Sequence, residues 1–426
     1  MTDQLEAQSS LGQPTVGRGL DGVLWWALAA FSAVSVAASS SSHLAIGSVA
    51  KIIGLPFLVV TMVTYRRRVP TQTNWALLGL FGVTALAVGS YFWSIEPSVT
   101  LSRMPTYVLL LVACVAVVMS LRTLGAEGVR AIAVGLMIGG LIAAVLVLLA
   151  EHSHTFISPD QYTALEERAT AGAADPNDIA LCMSLTMPIF MLHPRWLVKA
   201  MAIPVGTAVL LTGSRGGLIA LAAVVASVVL IPVFSRPAQR LRRSAVGAHP
   251  IQTLFLVILT AVVGYQFLPS TVTQRLGTIP SQLAGGTLTN RTLLWHGAWQ
   301  GFLHHPIVGI GIGATPTYEL SQTGYFLVAH NVNLSLLLEL GLAGWTFFMV
   351  SVVPGFLGAG RARFEVPWLL PSLIGLVVGS YALSWEYNKM LWLLLVLGGF
   401  LASVPKTYRT KVMFGTGEPD APVLLR

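Results

Sequence analysis

Long apolar segments recur along almost the whole chain, and no other feature limits the possible folds so strongly. A helix needs about 20 mostly apolar residues to cross the hydrocarbon core of a membrane, and open strands cannot cross because lipid leaves their backbone groups unpaired. The 426-residue chain offers twelve segments of this kind. They are approximately residues 23–38, 44–64, 75–93, 107–121, 131–150, 179–192, 197–212, 218–234, 251–268, 332–352, 366–383 and 391–404. We therefore predict an all-α polytopic membrane protein with about twelve transmembrane helices.

The composition agrees with this prediction and excludes the common soluble classes. Only 10% of the residues are charged, whereas a soluble domain carries about 25%. A cytosolic enzyme, a disordered chain and a coiled coil are therefore excluded. The two cysteines, Cys114 and Cys182, lie in apolar segments, so we expect neither a disulfide nor a cysteine-based metal site. The N-terminus lacks an apolar signal region, so no cleavable signal peptide is expected.

The distribution of lysine and arginine predicts the orientation of the chain. These residues concentrate in the cytoplasmic loops of membrane proteins. If the N-terminus is cytoplasmic, the inner segments hold 18 of the 25 cations. We therefore predict cytoplasmic tails at residues 1–22 and 405–426. A single transmembrane domain is predicted at 23–404, with long periplasmic loops at 151–178 and 269–329.

Seven cations depart from this rule. They are Lys51, Arg103, Arg168, Arg215, Arg275, Arg291 and Lys389. A cation at the outer face or inside the membrane is often there to hold an anion, although a solvated loop position is the simpler alternative. These residues are therefore the first candidates for anion binding.

Two of these cations lie beside predicted helix starts. At residues 212–217, Thr-Gly-Ser-Arg-Gly-Gly, Ser214 can cap the next helix, and the helix N-terminus supplies free N–H groups with positive dipole character. Arg215 adds a bidentate fork for phosphate oxygens; the alternative is a tight turn whose arginine extends to the membrane surface. Arg291 begins a predicted amphipathic helix at residues 290–303. A cation is poorly placed there unless an anion shares the site, although a surface arginine is the alternative.

His330 lies just before the tenth apolar segment and is the strongest candidate for a catalytic residue. A helix N-terminus favours the neutral imidazole, which can take a proton near physiological pH. A general base is therefore feasible, with an interfacial or hydrogen-bonded histidine as the alternative. Glu339 lies about 13 Å deeper and half a turn around the helix, so we expect it to pack or to form a hydrogen bond there. Asp175 is predicted to cap the sixth helix. The glycines at 309–313 lack the strand context of a nucleotide site.

Several short motifs follow one another in an order typical of one bacterial family. They are Asp-Pro-Asn at 175–177, Thr-Gly-Ser-Arg-Gly at 212–216, Asn-Arg at 290–291 followed by Trp295, Pro-Ile-Val-Gly-Ile-Gly at 306–311, His-Asn at 330–331 and Glu-Leu-Gly-Leu-Ala-Gly at 339–344. With a large outer loop between the ninth and tenth spans, the chain resembles the bacterial O-antigen ligase family. The first five spans are similar to it in hydropathy alone.

The resemblance implies a metal-independent inverting glycosyltransferase of the bacterial inner membrane, with a C-type glycosyltransferase-like fold and a periplasmic active site. Such ligases transfer O-antigen polysaccharide from undecaprenyl diphosphate to the lipid A-core oligosaccharide. By motif, Arg215 and Arg291 would hold the donor diphosphate and His330 would be the catalytic residue. Arg168 and Lys389 are further candidates for substrate contacts. The expected partners are the donor, the acceptor and membrane lipids, with no cofactor, nucleotide or nucleic acid.

Other functions stay open at this stage. An O-antigen polymerase or a protein O-oligosaccharyltransferase would use the same donor with a different acceptor, and no loop feature distinguishes them from a ligase. A lipid-linked sugar transporter or flippase is the alternative of another class. It would place cations through the depth of the membrane, whereas here they cluster at the predicted outer face.

Overall fold

The structure is a computed structural model that describes residues 19–37, 46–153, 175–233 and 291–406, with six single residues between 255 and 277. This part of the chain is helical and contains no strand. The helices are α1 (Leu20–Ala37), α2 (Ile46–Thr64), α3 (Trp75–Gly89), α4 (Pro97–Leu124), α5 (Ala126–Ser153), α6 (Pro176–Met191), α7 (Trp196–Ala200), α8 (Ala202–Leu211), α9 (Arg215–Val233), α10 (Arg291–His304), α11 (Thr315–Thr323), α12 (Val332–Arg361), α13 (Leu369–Ser380) and α14 (Lys389–Ser403).

Five helices are long and apolar enough to cross a membrane. They are α1, α3 with the short 3-10 helix that follows it, α4, α5 and α12. Five shorter apolar helical segments occupy residues 52–64, 196–211, 215–231, 369–380 and 389–403. The chain is thus a helical protein of membrane-spanning character. The count of twelve stays a prediction, and most of the ninth segment, 251–268, lies outside the described residues.

Side-chain caps begin several of these helices. The side chains of Asn74, Asp175, Asn331 and Asn388 each accept a hydrogen bond from a backbone N–H in the first turn of α3, α6, α12 and α14. Each cap satisfies a donor that the helix itself leaves unpaired. Pro176 occupies the first position of α6, where its missing N–H costs nothing. The predicted cap at Asp175 is confirmed.

Small residues permit close crossings between membrane helices. A Cβ on Gly135 or Gly139 of α5 would collide with the backbone of α1 at Ala29 or Ala33. The small residues are four apart on both helices, which is the spacing that brings membrane helices into backbone contact. Elsewhere α12 packs against both α3 and α14, so it runs through the centre of the bundle.

Helix α12 is interrupted at Gly341, where an inserted loop fills the break. Gly341 has φ 64° and ψ −165°, outside the helical region. We call residues 306–313 the inserted loop. Four backbone hydrogen bonds join it to α12: Ile310 N–H to Leu338 O at 2.9 Å, Gly311 N–H to Glu339 O at 2.9 Å, Leu342 N–H to Pro306 O at 2.8 Å and Ala343 N–H to Ile307 O at 3.1 Å. A Cβ on Gly341 would collide with the Ile307 carbonyl, so only glycine fits.

The inserted loop also joins α12 to the start of α4. Trp93 Nε1–H donates to the Val308 carbonyl at 3.1 Å, and Thr100 Oγ1–H donates to the Ile312 carbonyl at 2.9 Å. Just beyond the loop, Thr315 Oγ1–H donates to Glu339 Oε1 at 2.8 Å. The glycines of this segment therefore form a structural connection, and Glu339 has the hydrogen-bonding role predicted for it.

Candidate functional site

The N-termini of α6 and α9 meet at Ser214. Its Oγ accepts a hydrogen bond from Gly217 N–H at 3.1 Å and donates one to Asn177 Oδ1 at 2.9 Å. Asn177 N–H in turn donates to Asp175 Oδ1 at 2.7 Å. Ser214 therefore caps α9, as predicted, and fixes the first residue of α9, Arg215, beside the start of α6.

The connection between α13 and α14 joins the same end of the bundle. Trp385 Nε1–H donates to Asp178 Oδ1 in the first turn of α6 at 2.8 Å. The hydroxyl groups of Ser384 and Ser335 are 2.8 Å apart and form a hydrogen bond. Ser335 lies in the first turn of α12, and Lys389 begins α14. The starts of α6, α12 and α14 are therefore held together.

His330 lies directly before the capped start of α12 and has an unusual backbone conformation. Its φ is 50°, and it is the only residue other than glycine with positive φ in the part of the chain that the structure describes. Residues other than glycine rarely adopt this backbone conformation, and those that do are often found at functional sites. Trp295 Nε1–H of α10 donates to the adjacent Ala329 carbonyl at 2.9 Å. The turn that carries the imidazole is thus held by α10 as well as by the Asn331 cap.

The surroundings of His330 keep its imidazole neutral. The pKa of His330 is lowered to about 4, mainly by burial and then by the charge of Arg291, while Asp175 opposes this change. Arg291 at the start of α10 and Asp175 at the start of α6 therefore both lie near the ring. A neutral imidazole at pH 7 can accept a proton, in agreement with the form predicted for a helix N-terminus.

We call this region the helix-terminus site. It consists of the N-terminal ends of α6, α9, α10, α12 and α14 with the side chains of Arg215, Arg291, His330 and Lys389. All four side chains are partly buried. Each helix N-terminus contributes a positive dipole end, and three cations add to this field. Such a site can hold an anion with several oxygens and can supply a proton acceptor beside it.

The structure does not describe every predicted site residue. Arg168 and Arg275 lie outside the described residues. Helix α10 lies where an amphipathic helix is predicted. The buried residues are Leu294, Gly297, Ala298 and Gly301, whereas Leu293 and Trp299 are exposed. A cavity of about 570 Å³ beside Phe356 and Arg361 lies towards the other end of α12 from His330 and is no part of the site.

The α13–α14 connection contains residues that the sequence reasoning missed. Glu386 is 3% exposed, and its carbonyl accepts a hydrogen bond from Trp392 Nε1–H at 2.7 Å. Burial raises the pKa of the Glu386 carboxyl well above its ordinary value, and Glu339 raises it further. The signal in the sequence is the polar run 384–389, Ser-Trp-Glu-Tyr-Asn-Lys, between two apolar segments. Positive charge points to Lys389 alone in that run and gives no signal for Glu386.

The fold and the site together define a helical membrane protein with a cationic site built from helix N-termini. Residues 200–349 match a family model described as O-antigen ligase. This segment contains Arg215, Arg291, His330 and the inserted loop. The resemblance to the O-antigen ligase family is therefore confirmed over this segment. No curated protein matches the chain.

Proposed function

We propose that the protein is an O-antigen ligase of the bacterial inner membrane. It transfers O-antigen polysaccharide from undecaprenyl diphosphate to the lipid A-core oligosaccharide at the periplasmic face. The observation that carries the proposal is the helix-terminus site, where a neutral histidine lies beside an arginine and several helix N-termini within the segment that matches the family.

The donor fits the charge of the site. The periplasm offers no nucleotide sugar, so the bond energy must already be present in a lipid-linked donor. Arg215 and Arg291 hold its diphosphate, and Lys389 and Arg168 supply further contacts. Negative charge grows on the diphosphate as the glycosidic bond breaks. Guanidinium groups and helix N-termini stabilise that charge more strongly in the transition state than in the ground state.

His330 acts on the acceptor. Its imidazole takes the proton of the acceptor hydroxyl as the hydroxyl oxygen bonds to the anomeric carbon of the donor sugar. The bond from that carbon to the diphosphate breaks on the opposite side, so the configuration inverts, and undecaprenyl diphosphate leaves with the electron pair. The imidazolium then loses its proton to solvent. No step in this sequence needs a metal or a nucleotide.

The proposal includes the predicted topology. Both termini are cytoplasmic, the basic inner segments face the cytoplasm, and the helix-terminus site opens to the periplasm. The polyprenyl tail of the donor and the acyl chains of the acceptor stay in the membrane, while their polar groups meet at the site.

A reconstituted transfer reaction tests the proposal. The full chain in liposomes is supplied with undecaprenyl-diphosphate-linked polysaccharide and lipid A-core, with and without EDTA. We expect capped lipopolysaccharide in both conditions. Longer donor chains without capping would indicate a polymerase, and transfer to added protein would indicate an oligosaccharyltransferase. Movement of the donor without any covalent product would indicate a transporter.

Variants of the arginines test the diphosphate contacts in the same reaction. Arg215→Ala and Arg291→Ala should each lower the transfer rate by about 10²- to 10³-fold, the effect of removing one donor of this kind. Arg361→Ala is the control, because Arg361 ends α12 far from His330, and it should keep the wild-type rate. Full activity of both site variants would refute the diphosphate contacts.

A further inference from the structure

Three helices place the inserted loop one membrane thickness from the basic ends of the bundle. Residues 75–92, which include α3, extend about 27 Å up to the contact between Trp93 and the loop. Residues 342–361 of α12 extend about 30 Å from the break to the end of the helix. In α4, Thr100, which bonds to the loop, lies about 33 Å along the helix from Arg122. The hydrocarbon core of a bilayer is about 30 Å thick.

The basic ends of these helices lie close together. Arg68 N–H, in the segment before α3, donates to the Arg122 carbonyl in the last turn of α4 at 3.1 Å. Another N–H of that segment donates to the Ser403 carbonyl at the end of α14 at 2.9 Å. Gly358, one turn before Arg361, packs against the backbone of α14 close to the same end. Cations concentrate at the cytoplasmic boundary of a membrane, so the inserted loop lies at the opposite boundary.

An exposed apolar stripe on α3 leads towards the inserted loop. Its members are Leu78, Phe81, Val88 and Phe92, which are 42%, 57%, 39% and 87% exposed. They are separated by three, seven and four positions, so they share one face of the helix. The opposite face is buried, with Leu80, Val83 and Ala87 in the core of the bundle. Because α3 is long and apolar enough to cross the membrane, its exposed stripe faces lipid, and Phe92 lies at the outer end of that stripe.

A second exposed stripe, on α12, begins beside the inserted loop. Leu342, Val353 and Leu357 are each about half exposed and share one face of the helix. Because Leu342 N–H donates to the Pro306 carbonyl at 2.8 Å, the neighbouring Ile307 lies at the outer end of this stripe. Ile307 is 72% exposed. The bond between Trp93 and the Val308 carbonyl joins the outer ends of the two stripes.

The residues at this level are typical of a membrane interface. Tyr91, Phe92 and Trp93 follow one another at the end of α3, and the rings of Tyr91 and Phe92 are 5.8 Å apart. Aromatic side chains with a polar edge collect where the hydrocarbon core meets the headgroups. The inserted loop is not helical, and irregular backbone exposed to lipid does not occur within the hydrocarbon core. A position at the boundary satisfies both requirements.

We propose that Tyr91, Phe92, Trp93 and Ile307 form an interfacial anchor that binds bulk lipid at the headgroup boundary of the outer leaflet. The membrane span of α12 then begins at the break, after Gly341, and not at residue 332. The inserted loop follows α10 directly, so the anchor also fixes the C-terminal end of α10 at the membrane surface. The choice of the outer leaflet rests on the proposed orientation of the chain, whereas the depth of the anchor does not.

The depth of spin labels in liposomes tests the anchor directly. Phe92→Cys, Ile307→Cys and the control Phe81→Cys, on the same stripe as Phe92, each carry one nitroxide in the full chain, whose native cysteines are buried. Power saturation with oxygen and with a nickel chelate gives the depth of each label. The labels at 92 and 307 should lie within about 5–10 Å of the headgroup boundary, and the label at 81 about 16 Å deeper than the label at 92. A label at 92 or 307 that lies in bulk water, or as deep as the label at 81, would overturn the proposal.

Wild-type protein supplies a second measurement that needs no substitution. Lipids with a diazirine beside the headgroup or at the end of the acyl chain are photolysed in separate liposome samples, and the labelled residues are identified by mass spectrometry. The anchor residues should react severalfold more with the headgroup probe, and Phe81 and Val353 more with the chain-end probe. Equal labelling of the anchor by both probes would contradict the proposal.

These measurements separate the anchor from the proposed function. A liposome preparation that carries out no transfer would contradict the ligase function and leave the depths of the labels as predicted. A reversed orientation would place the anchor in the other leaflet at the same depth, which an impermeant thiol reagent added to whole cells would detect at residue 307. Protection of that residue from the reagent, with labelling only after the membrane is opened, would refute the outer leaflet.

Discussion

Replacing Gly341 by alanine should expel the inserted loop from the break in α12. An alanine at φ 64° and ψ −165° is strained by about 1–3 kcal/mol. Its Cβ would also collide with the Ile307 carbonyl. If the loop moves away, its four backbone hydrogen bonds with α12 are lost, at about 0.5–1.5 kcal/mol each. We therefore expect Gly341→Ala to destabilise the protein by at least about 3 kcal/mol.

Gly360→Ala is the matched control for this prediction. Gly360 lies on the same helix, and a Cβ there would have open space around it. In a helix, alanine is more favourable than glycine by up to about 1 kcal/mol, so this variant should be neutral or slightly stabilising. The assay is thermal unfolding of the purified proteins in one detergent, followed by tryptophan fluorescence. Gly341→Ala should unfold at a temperature lower by roughly 5 °C or more. Equal unfolding temperatures for the two variants would refute the conclusion that the inserted loop requires glycine at position 341.

Three further predictions concern His330 and the helices α10 and α11. Because the pKa of His330 is lowered to about 4, kcat/KM should stay constant from pH 7 down to about 5 and fall only below that. The negative charge of bound diphosphate should raise the pKa of His330, so the acidic limb of the kcat profile should lie at higher pH than that of kcat/KM. A fall in kcat/KM that begins at or above pH 6.5 would contradict the lowered pKa of His330. Trp295→Phe removes the hydrogen bond to Ala329 and should lower kcat about tenfold with little change in Tm, whereas Trp299→Phe on the exposed side should not. Burial raises the pKa of Glu319 to about 7, so its ionisation destabilises the α10–α11 pair as pH rises from about 4.5 to 7. Glu319→Gln should therefore slow amide hydrogen exchange in α11 at pH 8 and leave it unchanged at pH 4. Equal exchange rates in wild type and Glu319→Gln at pH 8 would contradict the raised pKa of Glu319.

The local signals at helix starts could be recognised from the sequence. Asp175 before Pro176, and Ser214 before Arg215, satisfy requirements that a helix end imposes on its nearest neighbours. Each requirement involves residues within about three positions, so one sequence contains the whole pattern. The same reasoning places His330 at a helix N-terminus and favours its neutral form.

The break in α12 could not be predicted in this way. The glycine at 341 fits an ordinary membrane helix, in which glycine is common, and the glycines at 309–313 resemble a flexible loop. Their pairing depends on backbone hydrogen bonds between segments about 30 residues apart in the chain, which no local pattern specifies. The contact between Trp385 and Asp178 spans 207 residues and was missed for the same reason.

The buried face of α10 shows a second limit of the sequence reasoning. Apolar spacing indicates a helix but does not distinguish the face that meets protein from the face that meets lipid. Here the protein side is formed by small residues such as Gly297 and Gly301, while the larger Leu293 and Trp299 are exposed. In a membrane protein large apolar residues often face outward, so a hydrophobic count alone does not identify the face that meets protein.

The proposed reaction depends on His330 as the proton acceptor, and the transfer rate of His330→Asn measures how much the imidazole contributes. Asparagine tolerates the positive φ at this position better than most residues, so the turn before α12 is kept while the imidazole is removed. The measurement is the initial rate of lipopolysaccharide capping in liposomes, for protein with a wild-type unfolding temperature. We predict a rate about 10²- to 10⁴-fold below wild type, with donor binding unchanged. A rate within threefold of wild type would contradict the claim.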